Sequence, residues 1–301
     1  MGLLLAVAPA ARARLMCMPA SQDAHLELVQ VRATTTPYRL AVFARGDPMS
    51  WMVKVTGQWE IRSPMDLARA AGIALPHHGV FLDIGASFGY HSVLFAKHGF
   101  QVIAVEPLLK NQLALFANLC MNAELLGVVK PVHVGVTSAR AVPANMSCTI
   151  PEGAVSRTQD ARMQCSSAPW TCSNYNRMRS NAKLRCTDLE VTTVDHVLRR
   201  VGPRTVDVVR ISSSDPGKEC DILEGAQGLF HRYRPRLVLW SARYDNVTSC
   251  FSRLAEAHGY RTASLDNSDS RRQRPVQGAQ YSRVLYLTDD DLEGVPRRGG
   301  S

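Results

Sequence analysis

The stretch Val80-Phe-Leu-Asp-Ile-Gly-Ala-Ser-Phe-Gly-Tyr90 admits few folds. An apolar run ends in an acid, the chain turns through two glycines, and an amphipathic segment follows. About twenty residues further on, a second apolar run, Val102-Ile-Ala-Val105, ends in Glu106. This is the layout of strand, loop, helix and strand that holds a nucleoside against backbone amides. A dinucleotide site carries G-x-G-x-x-G at this point, because pyrophosphate rests on exposed amides at the helix N-terminus. Here Asp83 stands in place of the first glycine, giving D-x-G-x-x-x-G. A carboxylate there would repel pyrophosphate, whereas it suits a cationic ligand.

The sulfonium and ammonium of S-adenosylmethionine make such a ligand, and Glu106 is spaced to accept both ribose hydroxyls. The candidate cofactor site is therefore Asp83, Gly85, Ala86, Ser87, Phe88 and Gly89 together with Glu106. The glycines alone could serve only a tight turn and a helix start. The two spaced acids turn the reading towards binding.

The surrounding chain alternates in the same way. A strand is expected at 38–44, continued by 53–55 as a hairpin, and a helix over 64–74 from Ser63 as N-cap and Pro64 in the first turn. Strands at 80–84, 101–105, 131–136, 206–211 and 236–240 alternate with helices at 89–98, 109–121, 193–200, 218–230 and 248–258. Strands at 260–265 and 282–287 close the chain, joined by a loop and so paired antiparallel. Such alternation implies a mainly parallel sheet covered on both faces. Residues 140–187 break the rhythm and read as an insertion outside the sheet. The division expected is a tail over 1–35, an appendage over 36–78, a domain over 79–290 carrying that insertion, and a tail over 291–301.

Apolar residues make up 46% of the chain, which excludes wholesale disorder. No run approaches the ~18 apolar residues that would span a bilayer. The formal charge of +9 is carried by arginine clusters such as Arg199-Arg200 and Arg232, Arg234 and Arg236, which form either a surface for an acidic partner or solvated faces. The N-terminal apolar run precedes Arg12 and Arg14, the wrong polarity for a secretory signal and compatible with an organellar transit peptide. Eight cysteines without a C-x-x-C spacing argue against zinc. With the sequons at Asn145 and Asn246 they are consistent with disulfides in a secretory lumen, and cytoplasmic or organellar placements stay open.

Phe81-Leu-Asp-Ile-Gly-Ala-Ser-Phe-Gly-Tyr-His-Ser92 resembles the first motif of the FkbM family of S-adenosylmethionine-dependent methyltransferases. Val105-Glu-Pro107 with Asn118-Leu-Cys-Met-Asn122, Thr193-Val-Asp195, Glu219 to Ala226 and Arg234-Pro-Arg-Leu-Val238 are similar to its later blocks. The resemblance implies a class I, Rossmann-like methyltransferase sheet of seven strands. It also implies methyl transfer to a hydroxyl on a sugar, glycan or small molecule. One departure stands out. The family pattern after the fourth core strand is close to K-I-D-x-E-G-x-E, whereas this chain reads Arg210-Ile-Ser-Ser-Ser-Asp-Pro-Gly-Lys-Glu219. The acid following the strand has become Ser212, and Asp215 lies three residues on.

A hydroxyl nucleophile benefits from a base that removes its proton during attack. Asp215 is the first candidate, Asp245 the second and His91 the third; no metal is expected. Two other readings compete. A nucleic-acid methyltransferase accords with the basic charge, but Asp215-Pro216 is followed by Gly217 and Lys218 rather than by an aromatic that would grip a base. A binding or scaffold protein accords with the missing acid at Ser212.

Overall fold

The computed structural model describes residues 26–32, 37–141, 147–152, 164–166, 185–213, 217–241, 245–264 and 282–293. The N-terminal unit holds β1 (Leu26–Val31), β2 (Tyr38–Phe43), α1 (Pro48–Thr56) and α2 (Pro64–Ala71). The α/β unit follows with β3 (Val80–Ile84), α3 (Tyr90–Lys97), β4 (Gln101–Val105), α4 (Leu109–Met121), β5 (Val129–Val132) and β6 (Gly135–Val136). Then come β7 (Ser147–Glu152), β8 (Gln164–Ser166), β9 (Arg185–Leu189), β10 (Val191–Thr192) and α5 (Val194–Val201). The chain closes with β11 (Val208–Ile211), α6 (Lys218–Glu224), β12 (Leu237–Ser241), α7 (Asp245–His258), β13 (Arg261–Ser264), β14 (Ser282–Tyr286) and α8 (Asp289–Glu293).

Seven strands form one sheet in the order β13-β14-β12-β11-β3-β4-β5. β14 runs antiparallel to both of its neighbours, and the pairs among β12, β11, β3, β4 and β5 are parallel. This is the class I, Rossmann-like arrangement expected from the sequence. The chain moves outward from β3 through β4 to β5, then restarts at β11 on the other side of β3. That reversal opens a crevice at the carboxyl ends of β3 and β11, where α/β sheets bind ligands.

Alternate side chains of the strands feed two cores. Phe81, Val102 and Val208 face one with Phe88, Phe95, Phe100 and the N-terminal unit. Leu82, Ile103 and Val209 face the other with Phe230, Trp240 and Phe251. Both faces are covered because the parallel strands are apolar on both sides.

Four expectations are corrected. Residues 53–55 belong to helix α1, because Asp47 caps it, Pro48 starts it and Gly57 ends it in the left-handed region. The partner of β2 is instead β1, within the stretch expected as tail. The expected strand at 131–136 is split: 129–132 joins the main sheet, and 135–136 pairs with 191–192 apart from it. The expected helix over 218–230 ends at Glu224, and a π-helical turn follows at Leu229–Tyr233. Within 140–187, the described residues form a separate antiparallel sheet in the order β8-β7-β9.

Asn118 lies in α4 and Asn122, four residues on, is the helix's C-cap. Asn118 Oδ1 accepts from Ala41 N at 2.6 Å, and its Nδ2 donates to Ala41 O at 3.0 Å and Phe88 O at 2.7 Å. Asn122 Nδ2 donates to Arg39 O at 3.1 Å. Two buried amides thereby dock the N-terminal hairpin and hold the turn before α3. Cys220 of α6 and Cys250 of α7 form a disulfide.

Candidate functional site

β3 ends at Ile84, and the turn 85–89 runs from the sheet edge into α3. Gly85, Ser87 and Gly89 have φ of 80°, 54° and 91°. The first and last suit glycine; Ser87 is a non-glycine residue held in a region costing of order 1–3 kcal/mol. Gly85 N and Ala86 N both donate to Val105 O, at 2.9 and 3.1 Å, which fastens the turn to the end of β4. A Cβ on Gly85 would lie 1.9 Å from Ser212 O, so the first turn glycine is fixed by contact with the chain leaving β11. Ala86 and Phe88 are buried, and Phe88 packs edge-on to Phe43. Their side chains build the core; only the turn's backbone and Ser87 remain to meet a ligand.

Glu106 lies just past β4. Its Oε2 accepts from Ser87 N at 2.8 Å, and its Oε1 accepts from Leu108 N at 2.9 Å and Asn111 Nδ2 at 3.1 Å. Burial pushes its carboxyl up, against the opposing pull of the Leu108 and Ser87 amides. Beside it, Asn111 Oδ1 is buried with no hydrogen-bond partner among the described residues. A carboxylate with lone pairs to spare and an orphaned amide oxygen together fit the donor groups of a nucleoside.

Asp83 is fully buried. Ser92 Oγ donates to its Oδ2 at 2.7 Å, and Arg210 Nη1 lies 3.3 Å from its Oδ1. The carboxylate faces inward. Arg210 is also buried, sits in register with Asp83 on the adjacent strand, and donates to Gly85 O at 3.1 Å. Its Nε lies 3.4 Å from Glu60 Oε2, and His91 Nε2 lies 3.2 Å from the same oxygen. Burial lowers the His91 ring and the nearby guanidinium lowers it further, against the pull of Glu60. Burial alone would raise the Glu60 carboxyl; Arg210 and His91 overcome it and bring it to about 2. Arg210 keeps its charge because Glu60 and Asp83 outweigh its own burial.

The structure therefore brings Asp83, His91 and the turn together and places Glu106 against Ser87. His91 is 1% exposed, so its ring contributes through Glu60 rather than from an open face. Asp245 begins α7 at the carboxyl end of β12. Asp215 lies outside the described residues, as do Arg243 and Tyr244. Trp240 stacks on Phe251 in the second core, with centroids 4.3 Å apart. The sequence alone does not single out Arg210 or Asn111 as site residues, and it leaves the Trp59-Glu60 stretch between a segment folding over the cofactor and a core tryptophan, the latter favoured. A charge inside the apolar run 206–211 was the available signal for Arg210, since a buried charge requires buried partners.

No family model matches the chain, and no curated protein does. Among solved structures, it is similar to the C-terminal domain of precorrin-6Y C5,15-methyltransferase from Rhodobacter capsulatus. The two share 14% identity over 76% of this chain and 90% of that one, with a TM-score of 0.37. The N-terminal domain of human METTL16 shares 11% identity over 93% and 81%, with a TM-score of 0.41. M. jannaschii TYW2 in complex with AdoMet shares 13% over 86% and 84%, with a TM-score of 0.37. All three TM-scores lie below 0.5, and the fold assignment rests on the chain's own strand order and pairing.

Proposed function

We propose that the chain is an S-adenosylmethionine-dependent methyltransferase of the FkbM type, acting on a hydroxyl of a sugar, glycan or small molecule. The observation that carries the cofactor reading is the pairing of Glu106 with the turn. A buried carboxylate at the end of β4 holds Ser87 N, with the orphaned Asn111 Oδ1 beside it. Glu106 and Asn111 would receive the ribose hydroxyls or the adenine amino group, and the backbone of 85–89 would pack along the nucleoside. The bound cofactor supplies an electrophilic methyl on a sulfonium that leaves as a neutral thioether. The remaining work belongs to the protein: placing the acceptor in line and taking its proton.

Asp215 is the proposed base by its place in the chain after β11, and Asp245 the second. Buried and already directed at Glu60, His91 is the third. Turnover of Asp215→Asn and Asp245→Asn, with cofactor binding retained, would assign the role.

The acceptor class follows from the FkbM resemblance alone. The charge of +9 favours a second reading, methylation of nucleic acid. Calorimetric titration with S-adenosylmethionine tests the cofactor, and labelled methyl transfer to glycan, small hydroxylated and RNA acceptors separates the two readings. Glu106→Ala is expected to weaken cofactor binding by about 1.5–3 kcal/mol, because a charged acceptor is lost. Unchanged affinity in the folded variant would remove Glu106 from the site.

A further inference from the structure

Glu60 occupies a position that core packing does not explain. Ile61 N donates to Trp59 O at 2.6 Å, closing a three-residue turn with Glu60 at its centre and a φ of 54°. A γ-turn with positive φ is rare and strained, and a non-glycine residue there costs of order 1–3 kcal/mol. The turn is anchored on both sides. Tyr90 Oη donates to Ile61 O at 3.0 Å, and the carboxylate reaches Arg210 and His91.

Arg210 already has Asp83 and the Gly85 carbonyl as partners. A second carboxylate is brought to it from another unit of the fold, on a backbone that resists the conformation. It stays ionised, since Arg210 and His91 outweigh its burial. The result is an added negative charge against the first turn of α3, one guanidinium away from Gly85. Strain that persists at such a place marks a geometry held for function rather than for stability.

The geometry points to Glu60 as a specificity-determining residue that favours the positively charged methyl donor over its neutral product. The inference rests on the cofactor reading above. S-adenosylmethionine and S-adenosylhomocysteine differ by the methyl and by the charge on sulfur. A fixed carboxylate beside the turn acts on that charge alone, and because its own side chain is only 6% exposed little water screens it. The two compounds differ at the sulfur by one unit of charge, so a fixed neighbouring charge acts on that difference. Favouring the charged form over the spent one also eases exchange after transfer.

Dissociation constants for both compounds, measured on the same protein by calorimetry, test this without any acceptor. In Glu60→Gln, affinity for S-adenosylmethionine should fall about tenfold, an order-of-magnitude value for one partly shielded charge, while that for S-adenosylhomocysteine changes less than threefold. Glu60→Asp keeps the charge and should retain the parent ratio. If Glu60→Gln does not fold, Glu60→Gly, which accepts the positive φ, reads the same ratio. Equal losses for both compounds, or no loss for either, would overturn the inference and leave Glu60 a structural tie. If the parent protein binds neither compound, the cofactor reading itself falls.

Discussion

Arg210→Met should lower the stability of the folded protein by about 3–5 kcal/mol, seen as a reduced urea midpoint at neutral pH. The methionine fills similar space, so the loss is electrostatic. Asp83 and Glu60 would remain in the interior with their shared guanidinium gone. The pH dependence identifies the cause. In the parent, the Glu60 carboxyl stands at about 2 in the fold against 4.5 when unfolded. A depressed carboxyl adds stability that is fully present above about 4.5 and is lost as pH falls towards about 2. The variant lacks that contribution. The gap between the two proteins should be widest at neutral pH and narrow on acidification. A gap independent of pH would mean that lost packing, rather than the stranded carboxylates, is responsible. Combining Arg210→Met with Glu60→Gln should cost less than the sum of the two, because one interaction is removed twice.

The second large effect is expected at Gly85. An alanine there meets Ser212 O at 1.9 Å, a backbone atom that cannot rotate aside, and must also hold a φ of 80°. The conformational cost is of order 1–2 kcal/mol and the overpacking about 1–3, so a loss of roughly 2–5 kcal/mol is expected on unfolding in urea. Gly89→Ala is the control. Its φ of 91° is equally adverse, but the obstructing atom is Leu115 Cδ1 at 2.4 Å, the far end of a side chain that can swing away. The smaller loss should therefore fall at Gly89. Equal losses would show that backbone conformation, and not the approach of β11, governs both. Because Gly85 touches the chain leaving β11, its alanine variant should also weaken cofactor binding.

Much of this architecture could be read from the sequence, and for a common physical reason. β3, β4, β11 and β12 are apolar runs bounded by turn residues, and burial on both faces leaves that signature in the letters themselves. Ser63 and Pro64 mark the start of α2 through a capping box that is purely local. The failures were of two kinds. α1 was read as strand because Val53 and Val55 suggest one, while the decisive signals, Asp47 as N-cap and Gly57 as C-cap, lie outside them. β1 reads as tail because its stretch lacks strong periodicity; three of its six residues are exposed, and its place is set by pairing with β2. At the site, the turn and Glu106 follow from spacing along the chain. The Glu60, His91 and Arg210 cluster does not, since residues separated by up to 150 positions meet only through folding. Asn118 shows the same limit, its part in docking β2 being visible only across 77 residues.

The link between Cys220 and Cys250 bears on how any bench test should be prepared. α6 follows β11, whose carboxyl end borders the crevice, α7 follows the neighbouring β12, and the bond joins them a few residues into each helix. Cys120 and Cys148 are likewise oxidised. Thiol reagents added by habit to transferase buffers would untie the half of the crevice proposed to face the acceptor, while the contact between Ser87 and Glu106 needs no sulfur. A preparation from a reducing host could then retain the cofactor and still show no turnover. Silence of that kind would describe the buffer, and oxidised and reduced samples run side by side would tell a dormant enzyme from a binding protein.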